Sequence, residues 1–435
     1  MFSKILVANR GEIAVRIIRA CKEMGIRTVA VYSEPDRDAL HVALADESYC
    51  IGGAAASDSY LREDRIISTA LVSGAQAIHP GYGFLSENAH FARLCRRNGV
   101  VFIGPAPDCM DKVSDKTKIK EIFSGTELRP IPGTGVLPTV EDAAEAAADI
   151  GYPIMLKARS GGGGRGIRVI RDEEDLRREY PLAVAESAAT FGDGGVYIEK
   201  YVYPARHIEV QVLADEQGSV VCLGERDCSI QRSHQKLVEE SPSPGIKDKD
   251  RRELMAKAAD AVKTIGYVGL GTLEFLMDGE GNFWFMEMNV RLQVEHTVTE
   301  MLSNIDLVKW QIRAAAGVPL NFGQQDVRLR GASIECRINA TAPGRLRMLH
   351  VPGGPFVRFD TYLVPGVEVS PFYDSMLGKL IVYAGTREEA VRKIKAALCE
   401  LVIDGIPTNI EEQLGIVSDE RFMSGEYNLT FMEGR

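Results

Sequence analysis

No run in this 435-residue sequence approaches 18 consecutive apolar residues, so no segment is expected to span a membrane. Basic residues do not prevail either: 51 Lys and Arg stand against 61 Asp and Glu, a formal charge of −10. A chain this acidic is ill suited to coating nucleic acid or an anionic membrane, and neither partner is expected. Cysteine is scattered: Cys21, Cys50, Cys95, Cys109, Cys222, Cys228, Cys336 and Cys399 include no C-x-x-C pair, which argues against a zinc site or a redox dithiol. A disulfide framework is not expected in a chain this long without a secretion signal. Buried or partly buried free thiols and a cytoplasmic location follow. The strand-like Ile5-Leu6-Val7-Ala8 begins at once, leaving no room before it for a signal or transit peptide. Internal repeats and low-complexity tracts are also missing.

What is there is globular material. With 45% apolar residues the chain can bury a core, and its length suits roughly three domains. The first hundred residues alternate strand and helix. Lys4 to Ala8 reads as a strand, and Glu12 to Met24 carries Ile13, Ile17, Ala20 and Cys21 at helical spacing before Gly25. Thr28 to Tyr32, Ala77-Ile78 and Val100 to Ile103 read as further strands. This order predicts an α/β fold with a parallel sheet and right-handed crossovers. The first turn, Asn9-Arg10-Gly11-Glu12, is not G-x-G-x-x-G, which disfavours a nicotinamide enzyme. We divide the chain into 1–112, a helical linker over 113–135 rich in Pro130 and Pro132, a small unit over 136–203, and a larger mixed-sheet unit over 204–435.

Three segments carry chemistry. In the first, an apolar strand ending at Lys157-Ala158 leads into Ser160-Gly161-Gly162-Gly163-Gly164-Arg165-Gly166, and a second strand follows. A Walker loop would end in Gly-Lys-Ser/Thr and open a helix. This loop joins two strands instead. Its glycines let backbone N–H groups approach an anion, with Lys157 and Arg165 alongside. It reads as a lid over nucleotide phosphates, or else as a surface hairpin. The second segment is Gly271 to His296. A two-residue turn at Glu280-Gly281 would pair Gly279 with Asn282 and, continuing that register, Glu274 with Glu287. Opposed like charges are destabilising unless a cation sits between them, and hard oxygen ligands suit Mg²⁺ or Mn²⁺. Along the second strand Glu287, Asn289, Arg291, Gln293 and Glu295 alternate with apolar residues, so period two places the polar set on one face. An ordinary sheet with one wet face alternates the same way. In the third segment, Glu225 to Lys236, His234 and Lys236 share a face if extended and could hold a small anion. The alternative is a solvated loop.

Taken together, Val7-Ala8-Asn9-Arg10-Gly11-Glu12-Ile13-Ala14, His79-Pro80-Gly81-Tyr82-Gly83-Phe84-Leu85-Ser86-Glu87-Asn88, the glycine loop, Gln231-Arg232-Ser233-His234-Gln235-Lys236 and Glu287 to His296 resemble the biotin carboxylase family of biotin-dependent carboxylases. The resemblance covers nearly the whole chain, in order, and is to the biotin carboxylase subunit of bacterial acetyl-CoA carboxylase. It implies an ATP-grasp fold: a Rossmann-like N-terminal domain, a small lid domain, and a larger C-terminal domain. It implies a ligase that uses ATP and bicarbonate, through carboxyphosphate, to carboxylate a ureido nitrogen of biotin. In acetyl-CoA carboxylase this is the first half-reaction towards malonyl-CoA and fatty acids.

The resemblance also carries roles over. Lys116, Lys157 and the lid backbone from Gly163 through Gly164 and Arg165 to Gly166 resemble phosphate contacts of ATP. Glu199, Lys200 and Val202 resemble the adenine hinge, and His207, Gln231, His234, Leu276 and Leu429 other nucleotide contacts. Glu274 and Glu287, with Asn289, resemble the site for Mg²⁺ or Mn²⁺, two ions being implied. Lys236, Arg291, Gln293 and Val294 resemble the bicarbonate pocket, and Glu295 the base that deprotonates bicarbonate. Arg337 resembles the residue that stabilises the biotin enolate, and Tyr82 a wall of the biotin site. Implied partners are a biotin carboxyl carrier protein that brings the biotin, carboxyltransferase subunits, and a second copy of the chain through Arg19, Glu23 and Arg358. Phe356 is shifted by one from the family's aromatic at that interface. Val290, Thr297 and Ser233 depart mildly from the family pattern. Thr341 to Val351 is several residues shorter than its family counterpart and follows closely on Arg337. A propionyl-CoA or pyruvate carboxylase subunit, another ATP-grasp ligase, and a degenerate ATP-binding regulatory subunit are the alternative readings.

Overall fold

Strand order reverses inside the N-terminal sheet, and that reversal positions one wall of the site. The computed structural model describes residues 1–114, 116–159 and 166–434, without the side chains of Lys116, Thr117 and Phe191. Strands β1 (Lys4–Val7), β2 (Arg27–Ser33), β3 (Glu47–Gly52), β4 (Ala77–His79) and β5 (Val101–Phe102) pair in parallel in the order β3-β2-β1-β4-β5. The helix Gly11–Glu23 buries Ile13, Ile17, Ala20 and Cys21, the 3.6-residue stripe of its sequence. The switch point lies between β1 and β4, where the loops after both strands meet. Asn9 stitches them, its Nδ2 donating to the carbonyls of Pro80 (2.7 Å) and Tyr82 (2.8 Å). Gly81 has φ +64°, and a Cβ there would lie 2.9 Å from Asn9 Nδ2, so only glycine fits without displacing the stitch.

A three-stranded antiparallel sheet comes next: β6 (Ile154–Ala158), β7 (Ile167–Ile170) and β8 (Val196–Lys200), in the order β7-β6-β8. The helices Val140–Ile150 and Glu173–Phe191 cover it with Ala143, Ala147, Leu176 and Tyr180. Lys157 pairs with Ile167, so the glycine-rich segment connects the two strands of a hairpin. Gly163, Gly164, Arg165 and the Lys116 side chain lie outside the described residues.

The largest sheet has eight strands. In chain order these are β9 (Ala205–Ala214), β10 (Val220–Arg232), β11 (Gln235–Ser241), β12 (Gly269–Asp278), β13 (Phe283–Asn289), β14 (Ala332–Asn339), and then, past a short β15 (Met348–His350), β16 (Val357–Thr361) and β17 (Met376–Ala384). Their order is β13-β12-β9-β10-β11-β14-β17-β16, every pair antiparallel. The helix Asp248–Thr264 packs Leu254, Ala258, Ala261 and Val262 into a core with Ile208, Val210 and Val212 of β9. The short segment after Arg337 closes a ladder of its own: β15 pairs with β18 (Val402–Asp404), and Leu346 is buried. Among the described residues no helix is long and apolar enough to cross a membrane. All eight cysteines are free; six are buried, whereas Cys50 and Cys399 are exposed, contrary to the expectation of burial.

Candidate functional site

The β12–β13 hairpin pairs Glu274 directly with Glu287, as expected, but by a different route. The turn is not the two residues Glu280-Gly281. Gly279, Glu280 and Gly281 form the loop, closed by Asp278 N–H on the Asn282 carbonyl (3.0 Å). The Asp278 carboxylate also accepts the backbone N–H groups of Glu280 (3.0 Å) and Asn282 (2.9 Å), which stabilises the longer loop. That shifts the register by one residue, and a bulge at Met286, between the pairs Phe275–Phe285 and Glu274–Glu287, shifts it back.

The expected alternation to Glu295 fails. Strand β13 ends at Asn289, and Val290 to Glu295 form a loop that runs into the helix His296–Ser303. Its polar side chains are gathered by partners instead of by pleat. Gln293 Nε2 donates to Glu274 Oε1 (2.9 Å), as does Asn289 Nδ2 (2.7 Å). Arg291 Nε donates to Glu87 (2.9 Å), and the Val294 carbonyl accepts from Lys379 Nζ (2.8 Å).

Lys236 and His234 do not share a face. Arg232 pairs with Gln235 across a two-residue turn in which Ser233 and His234 have φ +50° and +63°, the mirror-image geometry that matches strand twist. His234 is exposed at that tip, away from the cluster, whereas Lys236 points into it.

At the centre lies Lys236. Its ammonium binds Glu295 Oε1 (2.5 Å) and Glu209, with Glu274 Oε1 at 3.5 Å. Arg337 binds the other oxygen of Glu295 (3.0 Å) through Nη2 and Glu239 Oε1 (2.6 Å) through Nε. Burial pushes the Glu295 carboxyl up, but Lys236 and Arg337 outweigh it and hold the group well below the usual carboxylate range. Glu274 follows the same pattern, with Lys236 and His207 prevailing over burial. His207 Nε2 lies 2.9 Å from Glu274, and its Nδ1 accepts from Gln231 Nε2 (2.7 Å). Beneath the cluster Arg226 is fully buried, its guanidinium shared among Glu209, Gln211, Thr272, Gln293 and Thr299.

At the mouth of the small sheet, Lys157 Nζ donates to Glu199 (2.5 Å), which Lys120 also binds. Glu199 is pushed up by burial, but the two lysines hold it below the usual range. The expected hinge thus holds the expected phosphate lysine. Lys200 N–H donates to the Pro132 carbonyl (2.8 Å), and the partly buried Val202 follows β8. Leu276 pairs with His207 across β12–β9, Leu429 N–H binds the Ala205 carbonyl (2.9 Å), and the Gly166 carbonyl accepts from Ala158 N–H (2.9 Å). Tyr82 gives its hydroxyl to the buried Glu12. Arg358 is forked onto Asp360 (2.6 and 2.8 Å) and also binds Glu300 (2.8 Å), Glu23 pairs with Lys309 (2.5 Å), and Phe356 is 61% exposed.

Sequence reading missed Glu209, Arg226, Glu239, Glu335 and Lys379. A sequence signal existed for Glu209 and Glu335, and Glu239 is identified only by its register. His207, Glu209 and Gln211 alternate with apolar residues along β9, as do Glu335 and Arg337 along β14, and Glu239 faces Glu335 across β11–β14.

Glu274 and Glu287 on one face, with the Asn289 amide beside them, form an oxygen-rich donor set without thiolates, which fits a hard divalent cation. The site as a whole offers lysines towards an anion, opposed carboxylates towards a metal, and one ionised carboxylate clamped between two cations.

The chain is similar to known proteins along its whole length. Residues 1–110 match the biotin carboxylase N-terminal domain, 115–322 the ATP binding domain of carbamoyl-phosphate synthase L chain, and 335–434 the biotin carboxylase C-terminal domain. Biotin carboxylase 1 of Bacillus subtilis is 51% identical, over 100% of this chain and 98% of its own length. Biotin carboxylase of Haemophilus influenzae is 50% identical over 100% and 98%. A biotin carboxylase–β-γ-ATP complex from Campylobacter jejuni superposes with a TM-score of 0.97, at 46% identity over 99% of this chain and 98% of that one. The biotin carboxylase domain dimer of Hydrogenobacter thermophilus 2-oxoglutarate carboxylase, in complex with MgADP, ADP and bicarbonate, gives 0.96 at 48% identity over 100% and 97%.

Proposed function

The chain belongs to the biotin carboxylase family, and from that premise we propose how its residues carry out ATP- and bicarbonate-dependent carboxylation of biotin. It is an ATP-dependent ligase with an ATP-grasp fold. The observation that carries the residue assignment is Glu295 clamped between Lys236 and Arg337. In this reading bicarbonate enters against Lys236, Arg291, Gln293 and the Val294 backbone. Lys236 then turns to the bicarbonate oxygens, Glu295 loses a cation, and its proton affinity rises towards that of a working base. Glu295 takes the bicarbonate proton, and the freed oxygen attacks the γ-phosphoryl group of ATP, breaking its bond to the bridging oxygen so that ADP leaves and carboxyphosphate forms. Arg337 meets the oxyanion of biotin with a planar, permanently charged fork, and Tyr82 walls the pocket.

On the nucleotide side, Lys157 leaves Glu199 for phosphate, joined by Lys116 and the lid backbone Gly163 to Gly166. The lid closes over the site, because carboxyphosphate needs exclusion of water. Glu199, Lys200 and Val202 take adenine, lined by His207, Gln231, Leu276 and Leu429. Glu274, Glu287 and Asn289 would hold Mg²⁺ or Mn²⁺, which supplies positive charge to the transferring phosphoryl group. His234, exposed at the turn between β10 and β11, is given no role in this reading.

The domain division that goes with this reading is 1–112, 113–135, 136–203 and 204–435. We assign the chain to the acetyl-CoA carboxylase type, working in the cytoplasm as a homodimer, with biotin on a separate carrier protein and with carboxyltransferase subunits. Free thiols are in keeping with a reducing compartment. The shortened segment after Arg337 gives no support to a degenerate subunit, since Arg337 keeps both carboxylate partners. The test is ADP release with Mg²⁺, ATP and bicarbonate, with and without free biotin. A biotin-dependent rise, lost in Glu295→Ala, is expected. ATP binding without a biotin effect would overturn the assignment.

A further inference from the structure

Strand β11 sets Glu239 directly opposite Glu335 of β14, so the two side chains share a face of the sheet. Both residues are fully buried. Glu239 spends Oε1 on Arg337, and Glu335 spends one oxygen on the Thr297 hydroxyl. The remaining oxygens, Glu239 Oε2 and Glu335 Oε1, have no hydrogen-bond partner although both are buried. An orphaned buried carboxylate oxygen is costly, and two on opposed residues more so. A single proton resolves both: one carboxyl O–H donates to the other carboxylate. We propose that Glu239 and Glu335 form a proton-sharing carboxyl–carboxylate pair, with the proton held on Glu335, and that this pair sets the charge balance around Arg337.

The surroundings decide which acid keeps the proton. Glu239 has the guanidinium of Arg337 against it; Glu335 has only a neutral hydroxyl within hydrogen-bond reach. The other charged or titratable groups acting on Glu335 are Lys379 from β17, Arg337 on its own strand and Tyr82 from the loop after β4; Glu295 and His296 stand at the start of the covering helix, whose Thr297 is the residue that touches it. His296 is kept neutral by burial, with its titration lowered to about 3. For Glu335, burial and Glu239 together outweigh Lys379, Arg337 and Thr297, and the carboxyl is pushed up to about 8.

Arg337 therefore faces two carboxylates, Glu239 and Glu295, while Glu335 stays neutral. When Glu335 gives its proton to water, a third carboxylate joins them and draws Arg337 away from the position where it meets the substrate. Glu335 is a positioning residue in this sense, and its effect on turnover rests on the biotin carboxylase reading. The shared proton itself does not.

Infrared difference spectra over a pH titration test the pair without any assay of activity. The parent is expected to lose one protonated-carboxyl C=O band as the pH rises through about 8, and Glu335→Gln to lack that loss. Subtracting the two titrations separates Glu335 from every other buried acid. Thr297→Val is the second variant, should Glu335→Gln not accumulate: losing a donor to the ionised form, it should move the band's midpoint upward. Titration curves that are the same in parent and variants would overturn the pair. If the band behaves as expected but raising the pH through about 8 changes biotin-dependent ADP release equally in the parent and Glu335→Gln, the shared proton stands and its role at Arg337 falls.

Discussion

Two pairs of glutamates stand opposed in one sheet, and one acid of each, Glu274 and Glu335, is driven to the opposite charge state from the other. Glu274 and Glu287 meet across β12–β13, and Glu239 and Glu335 across β11–β14. Burial pushes Glu274, Glu239 and Glu335 up alike. Around Glu274, however, Lys236, His207, Asn289 and Gln293 converge, and the group stays ionised. Glu335 has a single neutral donor and keeps a proton. An opposed acid pair is thus not in itself a cation site. What decides is whether donors for the charged form surround it. The first pair offers ionised oxygen to a ligand; the second regulates its neighbour.

Glu295 lies where the two regions meet, and its removal should have the largest effect. Glu295→Ala is expected to lower biotin-dependent turnover by about 10²–10⁴-fold, the usual range for a general base, with nucleotide affinity retained. Loss of ATP binding in that variant would break the separation of the two regions. Next comes Arg226→Met, which leaves Glu209 buried without its guanidinium. About 3–5 kcal/mol of stability should go, measured by urea unfolding; a neutral result would mean that Lys236 alone neutralises Glu209.

The pH dependence sharpens the contrast. A carboxyl whose titration is raised on folding binds more protons folded than unfolded, so its contribution to stability falls as pH rises, from the unfolded value of about 4.3 up to the folded one. For Glu335 that window closes at about 8. Glu335→Gln should therefore lose less stability than the parent between these limits. Glu274 has the opposite sign: it stabilises above the unfolded value and loses that as pH falls through its lowered folded one. Urea midpoints across the range would show both slopes. The smallest effect is expected from Asn289→Ala, which removes one neutral donor from Glu274 and should cost about 1–2 kcal/mol. No change there would place the ionisation of Glu274 with Lys236, His207 and Gln293.

How much of this was legible beforehand follows the distance between partners along the chain. Glu274 and Glu287 were found because a hairpin relates near neighbours, and two errors of one residue, in the turn and at Met286, cancelled. The odd-numbered series to Glu295 was misread because alternation in sequence does not require a strand; after Asn289 the same residues are drawn inward by separate partners. His234 was misplaced because positive backbone angles at Ser233 and His234 leave no periodic trace.

By itself the sequence determined the parallel N-terminal sheet, the glycine-rich hairpin, the opposed acids of β12–β13 and the family, all of which rest on local spacing or long contiguous motifs. Tertiary structure alone decided what those residues touch. Arg337 reaches Glu239 across 98 residues, Lys379 reaches the Val294 carbonyl across 85, and Arg16 reaches Glu300 across 284. Such contacts depend on strand register and closure of long loops, whose free-energy cost changes only slowly with length and which no local pattern specifies. The charge state of each buried acid depends on them in turn.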